Sequence, residues 1–120
     1  MATILVVEDT PANLALATKL LRAAGHEVIT SDTGAAGIAM ARERLPDLVL
    51  MDLGLPDMDG WQALREIRAD HRAAGLRVVA FTADAMLGDR ERALAGGFDG
   101  YMSKPIDFAT FAESVKGYLP

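Results

Sequence analysis

Five residues, far apart along the chain, have the side-chain types needed for charge chemistry: Glu8, Asp9, Asp52, Thr82 and Lys104. Each lies at the end of a short apolar run. Ile4-Leu5-Val6-Val7 leads into Glu8-Asp9, and Asp47 to Asp52 (DLVLMD) ends on an acid. Arg77 to Thr82 (RVVAFT) ends on a hydroxyl, and Gly100 to Ser103 precedes Lys104-Pro105. Strands of a parallel sheet gather functional groups at their carboxyl ends. If these runs are such strands, three carboxylates, one hydroxyl and one ammonium converge on one pocket. Two carboxylates about 5 Å apart repel by roughly 3 kcal/mol at an effective dielectric near 20. Three of them need cationic company, of which Lys104 supplies one charge and a divalent metal would supply the rest. An oxygen-only ligand set with room for water suits Mg²⁺ rather than zinc.

The elements that must position these groups follow from hydrophobic period. After the first strand, Leu16, Ala17, Leu20, Leu21 and Ala24 fall on one face of a helix from about Pro11 to Ala24, which Gly25 stops. Glu27 to Ser31 is a short strand. A second helix runs from about Ala35 to Arg44, and Pro46 closes it. The third spans about Gly60 to Ala69, with Trp61, Leu64 and Ile67 apolar. A fourth runs from about Ala85 to Ala95 and ends at Gly96-Gly97; the last reads from Phe108 to Tyr118. Strand and helix alternate five times, and the central strands are apolar throughout, as in a parallel sheet covered on both faces. Right-handed crossovers then lead to an α/β, flavodoxin-like, doubly wound (βα)5 domain over residues 1–120, with strand order 2-1-3-4-5.

Composition removes other classes. The chain of 120 residues is 51% hydrophobic and 24% charged, the balance of a globular rather than a disordered protein. It contains no Cys, which removes disulfides, thiolate zinc sites and cysteine nucleophiles. Seventeen acids against twelve bases give a net charge of −5, which argues against nucleic-acid binding. No apolar run approaches the roughly 18 residues needed to span a bilayer, and Met1-Ala2-Thr3 lacks the layout of a signal peptide. The expected location is the cytoplasm.

The chain resembles the receiver domains of two-component response regulators. The likeness rests on ILVVED (Ile4 to Asp9), DLVLMDLGLPDMDG (Asp47 to Gly60), FTADAM (Phe81 to Met86) and YMSKPI (Tyr101 to Ile106), and it covers the whole length. It implies that Asp52 is the phosphoacceptor and that Asp9, Glu8, Asp52 and the backbone carbonyl of Gly54 bind Mg²⁺. It implies further that Lys104 pairs with the phosphoryl group, that Thr82 hydrogen-bonds it on activation, and that Tyr101 is the switch aromatic. Pro105 would follow a cis peptide bond. The partners implied are a sensor histidine kinase or histidine phosphotransfer protein upstream and a protein target downstream. The target would meet the face formed by the fourth helix, fifth strand and fifth helix. The protein is expected to be a monomer, or a dimer through that same face.

Other motifs point elsewhere and fall short. Asp57, Asp59, Gly60 and Glu66 have partial calcium-loop spacing, but the first ligand position is Leu55, followed by Pro56. That stretch reads as a turn and helix start, with Gly60 relieving backbone strain. The acidic Glu8-Asp9-Thr10-Pro11 loop is wrong for a flavin or dinucleotide phosphate. A haloacid-dehalogenase-type phosphohydrolase would want a second Asp after its nucleophile, where Asp52 is followed by Leu53-Gly54. His26 and His71 read as residues near helix ends. On the first helix, Leu14, Ala15 and Thr18, with Pro11, lie on the outer side beside the acidic pocket, and are expected to contact the phosphodonor. The overall expectation is a stand-alone receiver that takes up a phosphoryl group and signals by binding. The alternatives are a receiver cut from a hybrid histidine kinase and a binding module that is never phosphorylated. Gly54 and Asp84 occupy positions that influence phosphoryl lifetime in the family.

Overall fold

A computed structural model describes residues 2–82 and 88–120. Five strands form one parallel sheet: β1 (Thr3–Val7), β2 (Glu27–Ser31), β3 (Leu48–Met51), β4 (Val78–Thr82) and β5 (Gly100–Ser103). Their order is β2-β1-β3-β4-β5, as expected. The described helices are α1 (Pro11–Ala23), α2 (Gly34–Arg44), α3 (Gly60–Ala69), α4 (Asp89–Ala95) and α5 (Phe111–Lys116). The expected start of the fourth helix near Ala85 lies outside the described residues, as does Asp84. The fifth helix is shorter than its apolar pattern suggests, because residues 108–110 form a turn before it.

Uniformly apolar strands are buried on both faces, and alternation along each strand divides the core in two. Leu5, Val7, Val49, Met51, Val78 and Ala80 point to the side of α2, α3 and α4, where they meet Ile38, Ala63, Leu64, Ile67 and Ala93. Ile4, Val6, Leu48, Leu50, Val79 and Phe81 point to the other side and meet Ala17 and Leu21 of α1 and Phe111 and Val115 of α5. Of the expected inward face of α1, Ala17 and Leu21 are fully buried, whereas Ala24, at the helix end, is exposed. On the α3 side, Trp61 meets Phe98 edge to face, with ring centroids 6.1 Å apart. A Cβ on Gly96, just after α4, would lie 2.7 Å from the indole nitrogen.

The loop between β3 and α3 is held by short-range polar ties. Gly54 and Asp59 form an antiparallel bridge, Gly60 donates its N–H to the Leu53 carbonyl at 2.9 Å, and Asp59 caps α3 by accepting from the Gln62 N–H at 2.8 Å. Asp57 accepts from the N–H groups of Gly34 and Ala35 at the start of α2. Both aspartates of the partial calcium motif therefore serve as helix caps. Gly60 is needed for a reason other than backbone strain: its φ is not positive, but a Cβ there would sit 2.7 Å from the Asp52 carbonyl oxygen and 2.9 Å from Leu53 Cα. Both are backbone atoms that cannot turn aside. Gly60→Ala is therefore expected to cost about 1–3 kcal/mol, the usual range for overpacking. Urea denaturation against wild type checks this, and an unchanged midpoint would refute it.

Candidate functional site

Three charged residues of the site, Glu8, Asp52 and Lys104, each hang one position beyond a strand and are fixed there by a backbone bond to a neighbouring strand. Glu8 donates its N–H to Ser31 O at the end of β2 (2.9 Å), and Asp52 to Val7 O at the end of β1 (3.0 Å). Lys104 donates to Thr82 O at the end of β4 (2.9 Å). The sheet register thus delivers Glu8, Asp52, Thr82 and Lys104 to one edge. The Lys104-Pro105 peptide is cis.

Lys104 is the hub. Its ammonium lies 3.2 Å from Asp52 Oδ2 and forms an ion pair with Glu8. Both the Lys104 and Glu8 side chains are almost wholly buried, at 7% and 0% exposure. The ammonium also stands 5.0 Å from the Phe81 ring centroid, a cation–π distance. Asp52 Oδ1 accepts from the Gly54 N–H at 3.0 Å, and Glu8 Oε2 from the Thr10 N–H at 3.2 Å. Asp9 is exposed. Oxygens of Glu8, Asp9 and Asp52 nevertheless lie within 4.8 Å of one another, close enough to share one metal ion. Thr82 is buried at the end of β4. Gly54 is exposed, and a Cβ on it would meet nothing within 4 Å.

Three carboxylates against one ammonium leave the cluster negative, and the carboxyl groups respond. Burial, together with a hydrogen bond to Asp52, raises the pKa of Glu8 above its ordinary 4.5. Burial also opposes ionisation of Asp52, but hydrogen bonds from Glu8 and the Gly54 N–H, with the Lys104 charge, outweigh it and hold Asp52 below 3.8. Of the two, Asp52 is therefore the more readily ionised and Glu8 the less. A divalent cation answers the same excess of charge, and the donors are all oxygen, so the residues fit Mg²⁺.

Leu14 is half buried and packs against the core beneath α1, while Ala15 is exposed. The Thr18 hydroxyl donates to Leu14 O at 2.7 Å. With Pro11, Lys19, Arg22 and Thr30 these residues line a shallow hollow. Tyr101 is half buried, packs toward the α4 side, and buries its hydroxyl without a hydrogen-bond partner among the described residues. His26 accepts from the Ala2 N–H through Nδ1, and His71 is exposed. Sequence reading missed Phe81, whose ring lies beside the lysine; the only signal was an aromatic immediately before Thr82.

Residues 4–116 match the response regulator receiver domain family. The chain belongs to that family. This receiver is 39% identical over 117 residues to the polar-differentiation response regulator DivK of Brucella ovis and Brucella abortus, a match covering 98% of the chain and 95% of the relative. It also resembles the receiver domain of a Pseudomonas aeruginosa sensor histidine kinase, solved with a magnesium ion coordinated in the active site cleft. That likeness has a TM-score of 0.87 and 35% identity over 98% of this chain and 96% of the other. The chemotaxis response regulator CheY4 of Vibrio cholerae shares the fold, at a TM-score of 0.91 and 24% identity over 99% of each chain. As a receiver the chain is a signalling switch of two-component systems rather than a classical enzyme. Among the described residues, no helix is long and apolar enough to cross a membrane.

The shifted acids of this receiver set a pH dependence. A group whose folded pKa is raised contributes stability that is fully present below its unfolded value and lost as pH rises through the folded value. Glu8 is such a group, so its window opens above 4.5. Asp52 acts in the opposite sense: its contribution is present above 3.8 and lost only as pH falls through its lowered folded value. Over the interval above pH 4.5, Glu8 alone of the two still titrates. In chelator, Glu8→Gln is expected to gain stability over wild type as pH rises through that interval. Parallel stability curves from denaturant titrations would refute this.

Proposed function

We propose that this receiver accepts a phosphoryl group at Asp52 from the phosphohistidine of a sensor kinase or phosphotransfer protein. The observation that carries this reading is the Asp52 carboxylate against the buried Lys104 ammonium, with Glu8 and Asp9 at metal-sharing distance. A carboxylate oxygen attacks phosphorus, the P–N bond breaks with its electron pair returning to the imidazole, and an acyl phosphate forms. Phosphoryl transfer asks mainly for in-line positioning and positive charge on the equatorial oxygens. Asp9, Glu8, Asp52 and the Gly54 carbonyl would hold Mg²⁺. When bound, the ion neutralises charge developing on the phosphoryl oxygens. Lys104, already paired with Asp52, follows the charge onto the phosphoryl group. The new acceptor oxygens then draw the Thr82 hydroxyl toward them.

The readout is a change at the face of α4, β5 and α5. The buried Tyr101 hydroxyl, without a hydrogen-bond partner among the described residues, favours any arrangement in which it finds water or a partner. A hollow of about 520 Å³ beside β5 and α5, lined in part by Tyr101, Ile106 and Tyr118, supports that face as the place where a protein target binds. The likeness to DivK supports a stand-alone regulator acting in the cytoplasm. The likeness to a sensor kinase's receiver supports the second reading, a receiver within a hybrid kinase. The hollow along α1, with Leu14, Ala15 and Thr18, is the proposed seat of the phosphodonor.

Incubation with acetyl phosphate and Mg²⁺ is expected to add one phosphoryl group by intact mass. The gain should vanish in Asp52→Asn and on prior chelation. If the folded protein gains no mass and beryllofluoride causes no spectral shift, it is a binding module that is not phosphorylated. Leu14→Arg is expected to slow transfer from the cognate phosphohistidine partner at least tenfold, a loss of about 1.4 kcal/mol, while acetyl phosphate labelling stays unchanged. Equal transfer rates would remove α1 from the docking surface.

A further inference from the structure

We propose that Asp57 is a positioning residue, bracing the loop that carries Gly54 against the first turn of α2. The inference rests on the proposed role of the Gly54 carbonyl in holding Mg²⁺. Among the described residues, the loop's other polar ties run within itself or to the helix that follows it: Gly54 N–H to Asp52 Oδ1, the Gly54–Asp59 bridge, Gly60 N–H to Leu53 O, and the Asp59 cap. Asp57 reaches outward. Its Oδ1 accepts from Gly34 N–H at 2.8 Å and its Oδ2 from Ala35 N–H at 2.9 Å, across more than twenty residues of sequence.

A second observation agrees. A Cβ on Gly34 would fall 2.5 Å from Met58 Cγ and 3.2 Å from Asp57 Oδ1, so the loop tip sits directly on the helix start. The two amide donors, Ala35 and Gly34, hold the Asp57 carboxyl below the usual carboxylate range. Both are among the N–H groups that a helix leaves without internal partners. A carboxylate there also meets the positive end of the helix dipole. The next such donor, Ala36 N–H, is taken by the Thr33 side chain at 3.2 Å. One helix start therefore carries two separable caps: Thr33, which belongs to the helix alone, and Asp57, which also ties down the loop.

This separation supplies the control. Thr33→Ala weakens α2 and leaves the loop tethered, whereas Asp57→Ala removes a cap and the tether together. Mg²⁺ affinity by calorimetry is expected to fall about tenfold in Asp57→Ala, at the lower end for groups that orient metal ligands. It should stay within about twofold of wild type in Thr33→Ala, whose lost cap destabilises only the helix. In chelator, amide exchange across residues 53–59 should quicken in Asp57→Ala alone. Equal affinities in the two variants, or unchanged loop exchange in Asp57→Ala, would overturn the brace. Failure of the wild type to bind Mg²⁺ would instead overturn the metal reading, and the exchange measurement would still decide whether Asp57 holds the loop.

Discussion

A buried ammonium among carboxylates is the constraint around which this receiver is organised. Lys104 lies between Glu8 and Asp52, away from water, with an aromatic ring beside it. Charges taken out of water must be paired and hydrogen-bonded or they destabilise the fold by several kcal/mol, on the order of 3–5 when one partner is lost. The sheet register meets this demand: each of the three residues is hung from the last residue of an adjacent strand, so none can drift. The pairing is still incomplete in charge, and the unmet negative remainder is what suits the cluster to a divalent cation.

Much of this was legible in the sequence. The apolar strands, each ending in a polar residue, gave the sheet and the converging site because parallel strands buried on both faces leave little freedom of pattern or of direction. Glu8, Asp52, Thr82 and Lys104 are brought together as their strand-end positions require. What was not legible depended on pairings across the chain. The Asp57 bonds to α2 and the Phe81 ring beside Lys104 have no local signature. The reason for Gly60 was misjudged, because a close approach between a helix start and the Asp52 carbonyl cannot be read from neighbours in sequence. Leu14, placed on the outer side of α1, is half buried, since the period of a helix gives its faces but not how deeply a flank sinks beside the next helix.

The two faces of the sheet divide the labour. α1 and α5 share one core layer, and the proposed donor-facing hollow lies on α1. α2, α3 and α4 share the other, and Tyr101 packs into that layer from the sheet edge. The charge cluster stands at the seam, touching both layers through Phe81 on one side and Met51, the residue before Asp52, on the other. A change of charge at the seam is thus felt by two packed layers whose side chains interdigitate too closely to move independently.

The Trp61–Gly96 contact gives the protein a built-in optical gauge. Trp61 is the sole tryptophan, it is fixed on α3, and its indole nitrogen abuts the residue that ends α4, with Phe98 against the ring. Because no side chain fits between indole and helix end, a displacement of α4 of even a few tenths of an ångström must change the surroundings of the ring. The emission of this one fluorophore therefore tracks the position of α4 without any attached label.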